Sequence, residues 1–334
     1  MLPSLTERDI EAGLRSFIER EFPIATPAFQ PDGVSIIDSY IEKKGNFIQG
    51  PWLEIRRPFR TIQADMKSAL PHLSGKWGIA SDWVPYAHQL KTFERLAYPN
   101  PKSTIVATGT GSGKTECFLL PVLDAVLQMN TENIPGIKAI VIYPMNALAT
   151  DQARRFASMC EDIVEAGGPR LTVGLYTGSP GSKSSVMKGE NCVTDRNVLR
   201  RNPPDILLTN YKMLDFLLLR REDRALWRTT TAKSLRYLIV DELHTFDGAQ
   251  GTDLACLIRR LRDFLTLGDE LACVGTSATL GGNDGLTALQ QYASDVFGAD
   301  FSDTDSIIME DRLSLGEYLD SFGPRHFEGR WPTP

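Results

Sequence analysis

The run TGTGSGKT, residues 108–115, constrains the fold more than any other stretch of the chain. The apolar segment STIVA (103–107) precedes it, and a segment with the apolar stripe Phe118, Leu119, Val122, Leu123, Val126 and Leu127 follows. A glycine-rich turn between a strand and a helix is the context that a phosphate-binding loop requires. Gly111 and Gly113 let the backbone curl so that its N–H groups point inward at phosphate oxygens, and the helix N-terminus adds its positive dipole end. Lys114 is expected to reach the outer phosphates of a nucleotide, and Thr115 to hold Mg²⁺ through its hydroxyl. The strict pattern has glycine where Thr108 stands. The candidate nucleotide-binding loop is therefore Thr108, Gly109, Thr110, Gly111, Ser112, Gly113, Lys114 and Thr115. The alternative is a glycine-rich turn that binds nothing.

Around the loop, short apolar runs alternate with helical patterns. STIVAT, KAIVIYP, LTVGLYT, PDILLTN, LRYLIVDE and LACVGTSAT read as strands without strict alternation, as expected for strands covered on both faces. Strand–helix alternation predicts an α/β fold with a mostly parallel, doubly wound sheet. In such folds ligands bind at the carboxyl ends of the strands, where the polar motifs of this chain fall. Residues 1–75 read as a smaller helical and irregular accessory region, 76–300 as the nucleotide-binding domain, and 301–334 as a tail or the start of a further domain. Within the first region LTERDIEAGLRSFIEREFP predicts an amphipathic helix. Thr6 and Asp9 suggest its capping box, Ile10, Leu14, Phe17 and Ile18 its apolar face, and Pro23 its stop.

YLIVDELH (237–244) is the natural counterpart of the loop. A hydrophobic strand ends in adjacent carboxylates: Asp241 is expected to bind Mg²⁺, and Glu242 to orient and deprotonate an attacking water. His244 has no companion His or Cys at zinc-ligand spacing, so a coupling hydrogen bond is its expected role. VGTSATLGG adds the hydroxyls of Ser277 and Thr279 just after a strand. The 334 residues are 42% hydrophobic with a net charge of −6, so no bulk basic footprint points to nucleic acid. Five scattered cysteines without a CxxC pair read as free thiols in a reducing compartment. No apolar run reaches membrane-spanning length, and MLPSLTERDIEAG has no signal-peptide core, so the cytoplasm is the expected location.

Taken together, TGTGSGKT, DELH and SAT resemble motifs I, II and III of a superfamily 2 helicase with a DExH box, and the resemblance implies a RecA-like first domain. It further implies ATP and Mg²⁺ as cofactors, with Glu242, Lys114 and Asp241 in catalysis and Thr115 and Asp241 at the metal. His244, Ser277 and Thr279 would couple the nucleotide state to nucleic-acid contact. Gln89, 25 residues before Lys114, is similar to the family's adenine-reading glutamine, with Tyr86 as stacking partner. YPMNALATDQARRF, YTGS and TNYKML resemble the strand-tracking motifs, which assigns nucleic-acid contacts to Pro144, Asn146, Thr177, Gly178, Thr209 and Asn210. The nearest basic pair is Arg154 and Arg155. LTNYKMLDFLLLR and DELHTFDGAQGTDLACLIRRL have the character of the MrfA-like and Lhr-like branch of bacterial DNA helicases. KKGNFIQGPWLE leans towards the large helicases of antiphage systems.

The resemblance covers roughly residues 80–300 and implies nucleic acid as partner, a DNA single strand or tailed duplex by that branch, with the choice between DNA and RNA left open. A second RecA-like domain, which supplies the arginine finger, is not found in this sequence, so the chain is expected to be a fragment or a split half. Two other readings stand beside the helicase. One is a P-loop ATPase switch, and the other a nucleotide-binding interaction module that needs a separate second half.

Overall fold

The computed structural model describes residues 3–21, 57–73, 83–109, 111–178, 184–278 and 283–320. The chain divides into two units, Met1–Arg57 and Pro58–Pro334. In the first unit, helix α1 (Pro3–Glu21) begins three residues before Thr6, which places Thr6 and Asp9 inside the helix rather than at its cap. Ile10 and Phe17 on it are 60% and 48% exposed.

The second unit is built on one seven-stranded sheet. Its strands are β1 (Thr104–Ala107), β2 (Ala139–Tyr143), β3 (Val173–Tyr176), β4 (Ile206–Asn210), β5 (Tyr237–Val240), β6 (Ala272–Ser277) and β7 (Ile307–Met309). The order is β3-β4-β2-β5-β6-β1-β7 and every pairing is parallel. Every residue of β1, β2, β3, β5 and β6 is buried. That explains the unbroken apolar runs, because a side chain on either face of the sheet meets a helix.

The connections run in opposite directions from β1. The chain leaves β1 through α4 (Lys114–Thr131) to β2, and through α5 (Asn146–Glu165) to the edge strand β3. It then returns through β4, α7 (Tyr211–Leu219), β5, α8 (Gly248–Leu265), β6 and α9 (Asn283–Phe297) to β7. Right-handed crossovers therefore put α4 and α5 on one face and α7, α8 and α9 on the other. α3 (Ala87–Leu96) packs on α4, and α7, α8 and α9 pack in succession. The reversal opens a crevice at the carboxyl ends of β1, β5 and β6, the switch point at which doubly wound sheets bind ligands.

Two boundaries differ from the sequence reading. Residues 58–73, assigned to the accessory region, belong to the sheet unit. Met66 of the short helix α2 (Met66–Ala69), Leu70 and Leu73 are buried in its core, and the Asp124 carboxylate of α4 accepts the His72 and Leu73 amides at 2.7 and 2.8 Å. Ile307–Met309, assigned to the tail, form strand β7 on the outer side of β1. A three-residue strand carries too little periodicity to be read from sequence. α6 (Arg196–Arg201) lies between β3 and β4, and α10 (Leu315–Asp320) follows β7. No helix among the described residues is long and apolar enough to cross a membrane.

Candidate functional site

The loop after β1 turns on two glycines. Gly111 has φ +77° and Gly113, the N-cap of α4, has φ +71°, values that side chains with a Cβ rarely adopt. A Cβ at Gly113 would also lie 2.3 Å from Nε2 of Gln89 and would displace that side chain. Thr108 has no such constraint, since its φ is not positive, and this accounts for a threonine where the strict pattern has glycine. It is fully buried, and its hydroxyl accepts a 2.8 Å bond from Ser112 Oγ that closes the loop internally. Gly109, Gly113, Lys114 and Thr115 line a cleft of about 730 Å³; Thr110 lies outside the described residues.

Opposite the loop, β5 delivers Asp241 and Glu242 to the same cleft. Adjacent residues on a strand face opposite ways. Here the strand has ended, and Glu242 takes a left-handed conformation (φ 50°, ψ 48°) that bulky residues enter only under constraint. The constraint is visible. The Glu242 N–H donates to Thr276 Oγ1 at 2.9 Å, and the same hydroxyl donates to Asp241 Oδ1. Lys114 Nζ lies 3.6 Å from Glu242 Oε1, so the two halves of the site meet. Burial pushes the Asp241 carboxyl above its usual range, with Thr276 opposing. The neighbouring Glu242 carboxylate adds to the rise and the Lys114 ammonium offsets part of it.

Thr276 is the residue that sequence reasoning missed. The signal was the parallel register Val240↔Gly275, which sets residue 276 beside residue 241, and it becomes available only once β5 and β6 are known to pair. Ser277 is buried and its hydroxyl lies 3.4 Å from His244 Nδ1, which is also 3.4 Å from Glu242 Oε2. These weak contacts connect DELH with the end of β6; Thr279 lies outside the described residues.

Tyr86 and Gln89 both line the cleft. The Gln89 amide is already engaged: Oε1 accepts the Tyr86 N–H at 3.0 Å and Nε2 donates to Gly113 O at 3.3 Å. An amide has a second N–H and a second lone pair, so one further partner on each side remains available to it. Arg155, one of the basic pair singled out in the sequence, lines the cleft and pairs with Glu116 of α4. Arg154, its neighbour, is exposed.

The strand-tracking residues gather at the carboxyl ends of β2, β3 and β4, and most of their polar groups are bonded internally. Thr209 is fully buried and its hydroxyl donates to Tyr176 O at 2.7 Å, so it ties β4 to β3 and presents nothing outward. Asn210 caps α7 by accepting the Met213 N–H at 2.8 Å, and its Nδ2 donates to Asn146 Oδ1 at 2.6 Å. Pro144, Asn146 and Thr177 are half-buried and Gly178 is exposed. Arg196, unmarked in the sequence reading, has its guanidinium 5.0 Å from the Tyr176 ring centroid and donates to Thr177 O at 3.1 Å.

The chain is similar to Druantia protein DruE of Escherichia coli (strain UMEA 4076-1), with 26% identity over 88% of this chain and 21% of DruE. It is also similar to the uncharacterized ATP-dependent helicase YprA of Bacillus subtilis (strain 168), with 30% identity over 74% of this chain and 30% of YprA. Among solved structures, the DUF1998 helicase MrfA bound to DNA and AMPPNP shares the fold, with a TM-score of 0.51 and 24% identity over 76% of this chain and 30% of that one. The chain thus spans less than a third of each of these three proteins. The sheet is that of a RecA-like helicase domain. The family model of the DEAD/DEAH box helicases matches residues 86–285, from Tyr86 through the end of β6 to the start of α9, and the chain belongs to that family.

Proposed function

We propose that the chain is the ATP-binding portion of an ATP-dependent helicase or translocase that grips one strand of nucleic acid, DNA by the branch it resembles. The observation that carries this reading is the meeting of Lys114 and Glu242, 3.6 Å apart, across a cleft that opens at the switch point of the sheet. Lys114 and the N–H groups of the loop bind the phosphates, while Tyr86 and Gln89 take the base. Thr115 and Asp241 bring a hydroxyl and a carboxylate to the same cleft, the hard oxygen donors that Mg²⁺ prefers. Bound there, Mg²⁺ would supply charge neutralisation for the phosphates. Glu242 orients the attacking water and accepts its proton. Thr276 fixes the Asp241 carboxylate and the Glu242 backbone N–H, and His244 with Ser277 passes their arrangement toward the end of β6.

Pro144, Asn146, Thr177, Gly178 and the cap formed by Asn210 hold sugar-phosphate without reading bases, which suits a contact that tracks a strand. A second RecA-like domain in the full-length protein would close the cleft and supply the transition-state arginine. A nucleotide switch without a nucleic-acid track is the reading favoured by the internal bonding of Thr209 and Asn210. ATP hydrolysis by the full-length protein, measured with and without single-stranded DNA and RNA, separates the two. Stimulation by the DNA strand is expected; a rate unmoved by either nucleic acid would support the switch instead.

A further inference from the structure

The segment that follows β7 touches the phosphate loop outside all the motifs above. Glu310 Oε2 accepts the Gly109 N–H at 2.8 Å, and Oε1 accepts Arg312 Nε at 2.7 Å. The Arg312 guanidinium lies 4.0 Å from the Phe59 ring centroid. Phe59 in turn packs against Tyr86 and His88, with ring centroids 5.1 and 5.6 Å away. His88 is fully buried, and its Nε2 is 2.8 Å from Ser112 O, an acceptor, so that nitrogen carries the proton. The contacts form a closed circuit from Gly109 through Glu310, Arg312, Phe59 and His88 to Ser112. Both ends of the phosphate loop are thus held from outside it. The circuit is fastened at its back by the Arg60 N–H to Asp311 O (2.8 Å), the Leu313 N–H to Pro58 O (3.1 Å) and ion pairs from Arg60 to Asp311 and Glu317.

A glycine-rich loop gains conformational freedom from its composition, and ordering it on binding costs free energy. A brace that orders the loop beforehand removes part of that cost, which is the general benefit of preorganisation. A carboxylate near a triphosphate would repel it if unpaired. Burial works against ionisation of Glu310, yet the bonds from Arg312 and Gly109 prevail and hold its carboxyl below the usual range. Its charge is compensated where it stands.

We propose that Glu310 is a positioning residue of the nucleotide site, fixing Gly109 and, through Arg312 and Phe59, tying the phosphate loop to the wall that carries Tyr86. The inference rests on the nucleotide reading given above. Nothing in the sequence pattern marks Glu310, 201 positions from Gly109.

The test is calorimetric titration of Mg-ATP into the wild-type chain and into Glu310→Ala, Glu310→Gln and Asp303→Ala, with amide exchange followed across the loop. Asp303→Ala is the control for general loosening, because it breaks the 2.8 Å pair with Arg95 at the other end of β7. Glu310→Ala should weaken Mg-ATP about tenfold and speed exchange in the loop, the size expected for a lost hydrogen bond to a charged group. Glu310→Gln keeps one acceptor oxygen for Gly109 but loses the bond from Arg312, so its affinity should fall between those of wild type and Glu310→Ala. Asp303→Ala should leave affinity unchanged. Wild-type affinity in Glu310→Ala, equal weakening in Asp303→Ala, or a Gln variant as weak as the Ala variant would each overturn the proposal. A wild-type chain that binds no nucleotide would instead overturn the site reading itself, and the proposal with it, and that outcome is recognised from the wild-type titration alone.

Discussion

The nucleotide cleft and the strand-end face of β2, β3 and β4 lie at the same end of the same sheet, yet they are built differently. In the cleft, groups from distant parts of the chain converge with their chemistry still available: Lys114 faces Glu242, and Asp241 is buried with a single hydroxyl partner. On the strand-end face the side chains that look functional are largely occupied. Thr209 is inside the sheet, and Asn210 and Asn146 bond each other. A phosphate site needs particular side chains aimed inward. If that face tracks a sugar-phosphate backbone as proposed, backbone N–H groups and a few donors suffice, which leaves its side chains free to serve as scaffold.

This contrast predicts a hierarchy of effects. In the full-length protein Glu242→Gln should keep nucleotide binding and lower hydrolysis by roughly 10²–10⁴, the usual contribution of a general base. A steady-state ATPase assay paired with a binding titration checks it, and hydrolysis at the wild-type rate would remove Glu242 from the site. Thr276→Val keeps the side-chain shape while deleting the hydroxyl that bonds the Asp241 carboxylate and the Glu242 N–H. Hydrolysis should fall about 10- to 100-fold at nearly constant affinity, the range for hydrogen bonds to charged groups, with Thr276→Ser restoring most of it. Gln89→Ala should flatten the preference for ATP over GTP by ~1–3 kcal/mol, the size of a bidentate amide contact to adenine. An unchanged ratio in competition binding would leave Gln89 as a cap of α3 only.

On the other face the expected effects are smaller and graded. Arg196→Gln should leave ATP affinity intact and make the log–log salt slope of single-strand binding shallower by about 0.7, the loss of one phosphate contact. An unchanged slope would confine Arg196 to supporting Tyr176. The smallest effect concerns His88. Burial lowers its pKa from the ordinary 6.5, so the folded protein keeps a neutral ring while the unfolded chain takes up a proton. Stability should therefore be full above pH 6.5 and decline as the pH falls from there toward the folded-state pKa. Melting curves between neutral pH and about 5.5 should show a steeper loss for wild type than for His88→Gln.

The same contrast explains what was legible in the sequence. TGTGSGKT announces itself because backbone geometry at Gly111 and Gly113 excludes other residues, and local composition records such demands. The six main strands were readable because burial on both faces leaves no charged residue to interrupt them. Glu310, Thr276 and His88 were not, because each acts through a partner set by strand order rather than by spacing. Thr209 misled for the complementary reason. A threonine at a strand end has the same letter whether its hydroxyl points to solvent or to the Tyr176 carbonyl. Arg155 shows the same limit on a helix, where its partner Glu116 belongs to the neighbouring α4.

The central claim is that the cleft between Lys114 and Glu242 binds Mg-ATP. Calorimetric titration of Mg-ATP into the wild-type chain and Lys114→Ala tests it most directly. The account predicts saturable binding at one site in wild type and no measurable binding in the variant, whose melting temperature stays close to that of wild type. Equal binding by the two proteins would contradict it, since the nucleotide would then be held somewhere other than between Lys114 and Glu242.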